Sequence, residues 1–173
     1  MPSDTLITLI ALATHVGARL KASGETLATA ESCTGGWVAQ SVTAVAGSSE
    51  WFDRGFVTYS NDAKQQMLGV APDTLARHGS VSEQTASEMV SGALERSSAG
   101  FALSITGVAG PTGGSRAKPV GTVCFGWARR VDGAVRVETR RFEGDREAVR
   151  RQSVIHSLQG VIEWLDAGLP AGG

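Results

Sequence analysis

The chain has 173 residues, of which 42% are hydrophobic and 19% are charged, and its formal net charge at pH 7 is −1. This length suits one domain that buries a sizeable core. The near-neutral charge argues against a general attraction to nucleic acids or membranes, so we expect a small molecule as the partner.

The sequence shows neither a membrane-spanning pattern nor a signal peptide, and it has only two cysteines. No apolar run approaches the length of a transmembrane helix, and the N-terminus lacks the basic, apolar and small-residue order of a signal peptide. The two cysteines, Cys33 and Cys124, have no metal-ligand spacing and do not make a disulfide framework, so we expect free thiols. We interpret the chain as a cytoplasmic protein with one domain over residues 1–173 and a frayed tail at 168–173.

Helical and strand-like segments alternate along the first half of the chain. Apolar residues at helical spacing predict a first helix that begins at Ser3 or Asp4 and ends at Gly24. The elements predicted after it are a strand at 26–30, a helix at 38–45, a strand at 51–59, a short helix capped by Asn61 or Asp62, a helical turn from Asp73, and a longer helix opened by Ser80 or Ser82.

The second half of the chain adds a buried strand and a hairpin. Residues 101–106 form a continuous apolar run that indicates a buried strand, and a glycine-rich loop follows at 107–115. Strands at 120–128 and 135–142 are joined across a dipeptide favoured in tight turns, and Asp145 caps the last helix. This order predicts an α/β fold, a three-layer α/β/α sandwich with a mixed sheet.

The segment TAESCTGGW places Ser32 on the turn between a predicted strand and a predicted helix. A serine at such a turn can act as a nucleophile, because the N–H groups of Cys33, Thr34 and Gly35 can stabilise a developing oxyanion. Gly35 and Gly36 let the backbone approach a ligand closely. The same features also describe a helix start capped by Ser or Thr, so the local sequence leaves both interpretations open.

A serine hydroxyl becomes a strong nucleophile only when a base removes its proton. The three histidines, His15, His78 and His156, are better explained by packing or surface positions. The chain has 13 arginines and three lysines, and only a buried lysine can act as a base. Lys64 follows the second strand at the edge where α/β sheets bind ligands, and a hydrogen bond from the Tyr59 hydroxyl can hold its amine. A strand-end tyrosine and a solvated lysine are the alternative.

Two further elements are candidates for binding the substrate. Backbone N–H groups near Thr106, Gly107 and Gly110 can hold a phosphate or a carboxamide, although the spacing matches neither a phosphate-binding loop nor a dinucleotide fingerprint. Arg146 and Arg150 lie one helical turn apart at a predicted helix start, where an anion is favoured. A mobile surface loop and a salt-bridged helix face are the respective alternatives.

Five segments together carry a resemblance to a known family: AESCTGGW, WFDRGFVTYSNDAKQQMLGV, HGSVSEQTASEM, SITGVAGPTGGSRAKPVGTV and FEGDREAVRRQ. From about Leu6 to about Trp164 the chain resembles the CinA C-terminal domain family, whose single-domain bacterial members are nicotinamide-nucleotide amidohydrolases. The resemblance implies an anticodon-binding-domain-like α/β/α fold, a homodimer, and hydrolysis of nicotinamide mononucleotide to nicotinic acid mononucleotide and ammonia without a metal or cofactor. It also implies Ser32 as the nucleophile, Lys64 as the base and Tyr59 as the motif tyrosine.

We therefore expect neutral Lys64, oriented by Tyr59, to take the proton of Ser32 as its oxygen attacks the carboxamide carbon. Two other functions stay open at this stage: a non-catalytic nucleotide-binding adaptor domain, and a Ser/Lys amidase or esterase of another specificity. The groups expected around the phosphate and the ribose are Arg146, Arg150, the loop at Gly107, Ser48 and Ser49.

Overall fold

The computed structural model describes residues 3–167. The helices are α1 (Asp4–Ser23), α2 (Trp37–Thr43), α3 (Asn61–Leu68), α4 (Pro72–His78), α5 (Glu83–Glu95) and α6 (Arg146–Asp166). The strands are β1 (Leu27–Glu31), β2 (Phe52–Val57), β3 (Phe101–Gly107), β4 (Thr122–Arg129) and β5 (Val135–Arg141), and a 3₁₀ turn occupies Ser48–Glu50. The frayed tail expected at 168–173 lies outside the described residues.

Side-chain caps set where most helices begin. Ser3, Ser82 and Asp145 each accept a hydrogen bond from a backbone N–H of the first turn, which confirms these three predicted caps. The predicted cap of α3 is wrong, because Ser60 is still extended and its side chain accepts the Ala63 N–H. Helix α4 begins one residue before the predicted start, at Pro72, whose fixed φ suits a first helical position.

The sheet is mixed, as predicted, with the strand order β2-β1-β3-β4-β5. Strands β2, β1 and β3 are parallel, whereas β4 and β5 are antiparallel to their neighbours. Glu31, the last residue of β1, is in register with Val57 of β2 and Ile105 of β3. The chain segments that leave these three strands therefore start at the same edge of the sheet.

Helices cover both faces of the sheet, which confirms the three-layer sandwich. Helices α1, α2 and α6 pack on large strand side chains such as Leu27, Phe101 and Leu103. Helices α3 and α5 pack on the opposite face, where the strands present small residues such as Ala30 and Ala102. Each fully buried large side chain contributes about 1.5–3 kcal/mol. Among residues 3–167, no helix combines the length and apolar character needed to cross a bilayer.

The close packing of α5 on the end of α3 generates a stability prediction. A Cβ added at Gly92 of α5 would lie 2.0 Å from the carbonyl oxygen of Leu68, a backbone atom that cannot move aside cheaply. Gly92→Ala should therefore lower the free energy of unfolding by about 1–3 kcal/mol in urea titrations. A glycine-to-alanine change in an exposed helix normally has the opposite sign, by about 1 kcal/mol.

Gln84→Ala, at an exposed position of the same helix, is the control and should leave the unfolding midpoint nearly unchanged. Equal or greater stability of Gly92→Ala would show that α3 and α5 do not approach as closely as described.

Candidate active site

Two side chains that follow neighbouring parallel strands along the chain meet at the carboxyl edge of the sheet. Ser32 directly follows β1, and its N–H donates to the Ile105 carbonyl of β3 at 2.9 Å. Lys64 lies in the first turns of α3, and its Nζ is 2.9 Å from Ser32 Oγ. The same Nζ donates to the Thr58 carbonyl at 2.9 Å. Ser32 is 7% exposed and Lys64 only 1% exposed, so the pair lies inside the fold.

The burial of this pair decides which groups can react. Burial lowers the pKa of the Lys64 ammonium below its ordinary value, because the charged form loses its solvation. Both hydrogen-bond partners of Nζ are neutral oxygens, so neither stabilises the charge as a carboxylate would. Burial also raises the pKa of the neighbouring Cys33 thiol to about 12, which keeps it protonated. The lysine therefore has the properties of a base, and it faces the serine.

A buried carboxylate shapes the turn that carries Ser32. Glu31 accepts hydrogen bonds from Thr34 Oγ1 at 2.7 Å, from the Val38 N–H at 2.9 Å and from the Ala39 N–H at 3.1 Å. It thereby caps α2, whose own N-cap residue, Gly36, has no side chain to do so. The alternative in which Ser or Thr caps this helix is therefore wrong, and the serine hydroxyl is left to face the lysine.

The N–H groups of the turn differ in their availability. The Gly35 N–H donates to the Ser32 carbonyl at 3.0 Å, so a hydrogen bond within the turn already occupies this predicted oxyanion donor. The N–H groups of Cys33 and Thr34 donate to no backbone carbonyl within residues 3–167. Gly35 and Gly36 take φ values of 59° and 99°, a left-handed backbone that glycine adopts without strain. Two of the three predicted donors thus remain candidates.

The Ser32–Lys64 pair opens into a cavity of about 220 Å³. The residues that line this cavity are Ser32, Cys33, Tyr59, Asn61, Lys64, Ser80, Thr106, Gly107, Ala109 and Arg146. Thr106 and Gly107 come from the end of β3, as the sequence predicts, and Thr106 Oγ1 donates to the Ser80 carbonyl at 2.6 Å. Sequence reasoning gave Asn61, Ser80 and Ala109 no role in the site, although each lies in a segment that carries the family resemblance, because only the fold brings them to this edge.

Tyr59 forms part of the cavity wall but does not hold the lysine. It is 64% exposed, and its hydroxyl accepts a hydrogen bond from Arg146 at 3.1 Å. The predicted bond to the Lys64 amine is wrong, because the backbone carbonyl of Thr58 takes that place. Arg146 also donates to the Gly110 carbonyl at 2.7 Å. The sequence predicts that Gly110 offers its N–H to the substrate, but the group that it presents to Arg146 is its carbonyl oxygen.

Arg150 contacts the Ser32 turn instead of projecting as a free anion-binding group. Its Nε donates to the Cys33 carbonyl at 3.0 Å and its second terminal nitrogen to the Thr34 carbonyl at 3.2 Å. With Trp37, Arg146 and Glu147 it lines a recess of about 470 Å³ beside the cavity. A larger cavity, of about 860 Å³, lies at the start of α5 and is lined by neither member of the Ser–Lys pair.

The structure does not bring the predicted ribose contacts to the Ser32–Lys64 pair. Ser48 and Ser49 lie in the 3₁₀ turn that precedes β2, at the amino end of the parallel strands. Ser32 and Lys64 lie at the carboxyl end, on the opposite edge of the sheet. Within the described residues, no group of three or more His, Cys, Asp or Glu side chains is arranged to hold a metal ion.

Fold and site together define a class: a three-layer α/β/α domain with a buried Ser–Lys pair at the carboxyl edge of its parallel strands. Residues 9–165 match the CinA C-terminal domain family. The chain belongs to this family.

Relatives named nicotinamide-nucleotide amidohydrolase match the chain over most of their own length. It is 58% identical over 152 residues to the nicotinamide-nucleotide amidohydrolase PncC of Escherichia coli K12, covering 87% of this chain and 91% of the relative. It is 50% identical to the protein of the same name from Pseudomonas putida, over 88% of this chain and 94% of the relative. A CinA-like protein of Syntrophobacter fumaroxidans is 51% identical, but the match covers only 33% of that longer protein.

Solved structures show the same fold. The competence/damage inducible protein CihA of Agrobacterium tumefaciens superposes with a TM-score of 0.88 at 44% identity, covering 96% of this chain and 98% of the other. The competence damage-inducible protein A of Klebsiella pneumoniae gives a TM-score of 0.89 at 39% identity, covering 93% and 99%.

The buried cap of α2 generates a prediction for Glu31. Glu31→Gln keeps the volume but replaces one acceptor oxygen by a donor that faces N–H or O–H groups. We expect the free energy of unfolding to fall by about 2–3 kcal/mol in urea titrations. Thr34→Val, which removes only one of the three bonds, should cost about 1 kcal/mol. If Glu31→Gln unfolds with the same urea midpoint as the wild type, this carboxylate does not support the turn.

Proposed function

We propose that the chain is a nicotinamide-nucleotide amidohydrolase, which converts nicotinamide mononucleotide and water into nicotinic acid mononucleotide and ammonia. The observation that carries the proposal is the buried Ser32–Lys64 pair, with 2.9 Å between the hydroxyl oxygen and the amine nitrogen. The specific substrate comes from the relatives named for this activity, which match almost end to end at up to 58% identity.

The first half of the proposed reaction forms an acyl-enzyme. Neutral Lys64 accepts the Ser32 proton while the serine oxygen attacks the carboxamide carbon of the nicotinamide ring. The N–H groups of Cys33 and Thr34 receive the oxyanion of the tetrahedral intermediate. Donors of this kind are typically worth roughly 3 to 4 kcal/mol each. Protonated Lys64 then gives its proton to the leaving nitrogen, the C–N bond breaks and ammonia departs.

The second half returns the enzyme to its starting state. Water enters the site vacated by ammonia, and Lys64 accepts a proton from it as the oxygen attacks the ester carbon. Collapse of the second tetrahedral intermediate breaks the bond to Ser32, which regains its proton from Lys64. The hydrogen bond from Nζ to the Thr58 carbonyl keeps the amine in place through both halves.

Arg146 is the proposed ligand of the nucleotide phosphate. It lines both the cavity at Ser32 and the recess beside it, and its side chain is exposed. Its hydrogen bonds go to two neutral groups, the Tyr59 hydroxyl and the Gly110 carbonyl. A phosphate dianion is a stronger acceptor than either, so an arriving nucleotide can take over these donors.

Loss of either member of the pair should abolish turnover. We expect Ser32→Ala and Lys64→Ala to release ammonia from nicotinamide mononucleotide at least about a thousandfold more slowly than the wild type, since the nucleophile or its base is missing. Ser49→Ala and Lys21→Ala, both at exposed positions, are the matched controls and should keep wild-type rates. Comparable loss in the controls, or activity in Ser32→Ala, would contradict the assignment of the pair.

The buried lysine predicts the pH dependence of the reaction. Lys64 acts as a base only when neutral, so kcat/KM should rise with pH through its lowered pKa and level off above it. Acidification below this pKa protonates the amine and removes activity. Initial rates between about pH 6 and 10 measure the profile. A rate that is highest at the acidic end of this range and falls steadily as the pH rises would contradict a neutral lysine as the base.

A further inference from the structure

We propose that Arg150 is a positioning residue for the oxyanion-binding turn and not a ligand of the substrate phosphate. The inference rests on the proposed function, because it concerns the same acyl-transfer site. Its starting point is the pair of hydrogen bonds from one guanidinium to two successive carbonyls of the turn, those of Cys33 and Thr34. A planar guanidinium holds two acceptors in a fixed relative position, which a single ammonium does not.

The first of these bonds fixes one candidate oxyanion donor directly. The Cys33 carbonyl and the Thr34 N–H belong to the same peptide unit. This unit is trans, since the only cis peptide in the described part of the chain is Gly110–Pro111. In a trans peptide the C=O and the N–H point in opposite directions. When Arg150 holds the carbonyl, it therefore holds the Thr34 N–H on the side away from the guanidinium.

The second bond acts on the other candidate donor through one intermediate hydrogen bond. The Thr34 carbonyl shares its peptide with the Gly35 N–H, which donates to the Ser32 carbonyl at 3.0 Å. The Ser32 carbonyl in turn shares its peptide with the Cys33 N–H. Arg150 thus orients the Thr34 N–H directly, and it orients the Cys33 N–H through the hydrogen bond between Gly35 and Ser32. A cationic donor on the carbonyl end also polarises each linked peptide and makes its N–H a stronger donor.

The guanidinium is itself held in place. Arg150 lies in the second turn of α6, and its Cζ is 5.4 Å from the centre of the Trp37 ring, within the range of a cation–π contact. A Cβ added at Gly35 would lie 3.5 Å from the nearer terminal nitrogen, so the turn and the arginine are in close contact. A phosphate that took over the Arg150 donors would release the two turn carbonyls. Arg146 donates to the Tyr59 hydroxyl and the Gly110 carbonyl instead, so a phosphate can take over its donors without releasing the turn.

The test compares kcat, KM and the reactivity of Ser32 toward a reagent without a nucleotide phosphate. The proteins are the wild type, Arg150→Met, Arg150→Lys and Arg151→Met, and the reagent is a small neutral fluorophosphonate whose attachment is followed by intact mass. Arg150→Met should lower kcat for nicotinamide mononucleotide by about 10- to 100-fold, less than loss of a donor itself, with little change in KM. Phosphonylation of Ser32 should slow by a similar factor.

Three variants besides Arg150→Met complete the comparison. Arg150→Lys keeps the charge but cannot hold both carbonyls, so its kcat should also fall. If circular dichroism shows that Arg150→Met is unfolded, the kcat and phosphonylation rate of Arg150→Lys serve as the test. Arg151→Met, the neighbouring arginine on α6, should behave as the wild type. Arg146→Met should show the contrasting signature of a phosphate ligand, an increased KM for the nucleotide.

Two results would overturn the inference. If the Arg150 variants raise KM for the nucleotide while Ser32 is phosphonylated at the wild-type rate, Arg150 is a phosphate ligand. If kcat and the phosphonylation rate both stay unchanged, the turn does not depend on it. A wild-type protein that is phosphonylated at Ser32 but releases no ammonia from the nucleotide would refute the proposed function alone, and the phosphonylation rates would still decide the role of Arg150.

Discussion

The contact on which the site depends is the one between the Lys64 amine, the Ser32 hydroxyl and the Thr58 carbonyl. A charged ammonium buried between two neutral oxygens is costly, whereas a neutral amine satisfies both of them. The fold provides this position by ending β2 at Val57 and starting α3 only four residues later, under the Ser60 cap. Helix α3 packs against α5 at Leu68, one turn beyond Lys64, and this packing holds the helix that carries the lysine.

Two charged side chains fix the turn after Ser32 from different directions. The Glu31 carboxylate binds N–H and O–H donors at the start of α2, and the Arg150 guanidinium binds carbonyls of the turn. Both charges are thus compensated by backbone dipoles rather than by each other. The turn is therefore held in a conformation that leaves the N–H groups of Cys33 and Thr34 without a backbone acceptor among the described residues. A donor pair fixed before substrate arrives needs no reorganisation during the reaction.

Local patterns were sufficient for the architecture and for part of the site. Apolar periodicity and caps predicted the layers and the mixed sheet, and the rule that carboxyl ends of parallel strands meet at one edge brought Ser32 and Lys64 together. Topology decided against Ser49, because a residue that precedes a parallel strand lies at the opposite edge. The roles of Glu31 and Arg150 depend on contacts between backbone and side chains that are distant in sequence, 117 residues for Arg150 and Cys33. No periodicity or motif reports contacts of that kind.

The most direct test of the account is to trap the acyl-enzyme. The protein is mixed with nicotinamide mononucleotide, quenched in acid within one turnover, and digested for peptide mapping by mass spectrometry. The account predicts a nicotinoyl-nucleotide ester on Ser32 in the wild type and no adduct in Ser32→Ala. An adduct on another side chain, or product formation by Ser32→Ala at the wild-type rate, would contradict it.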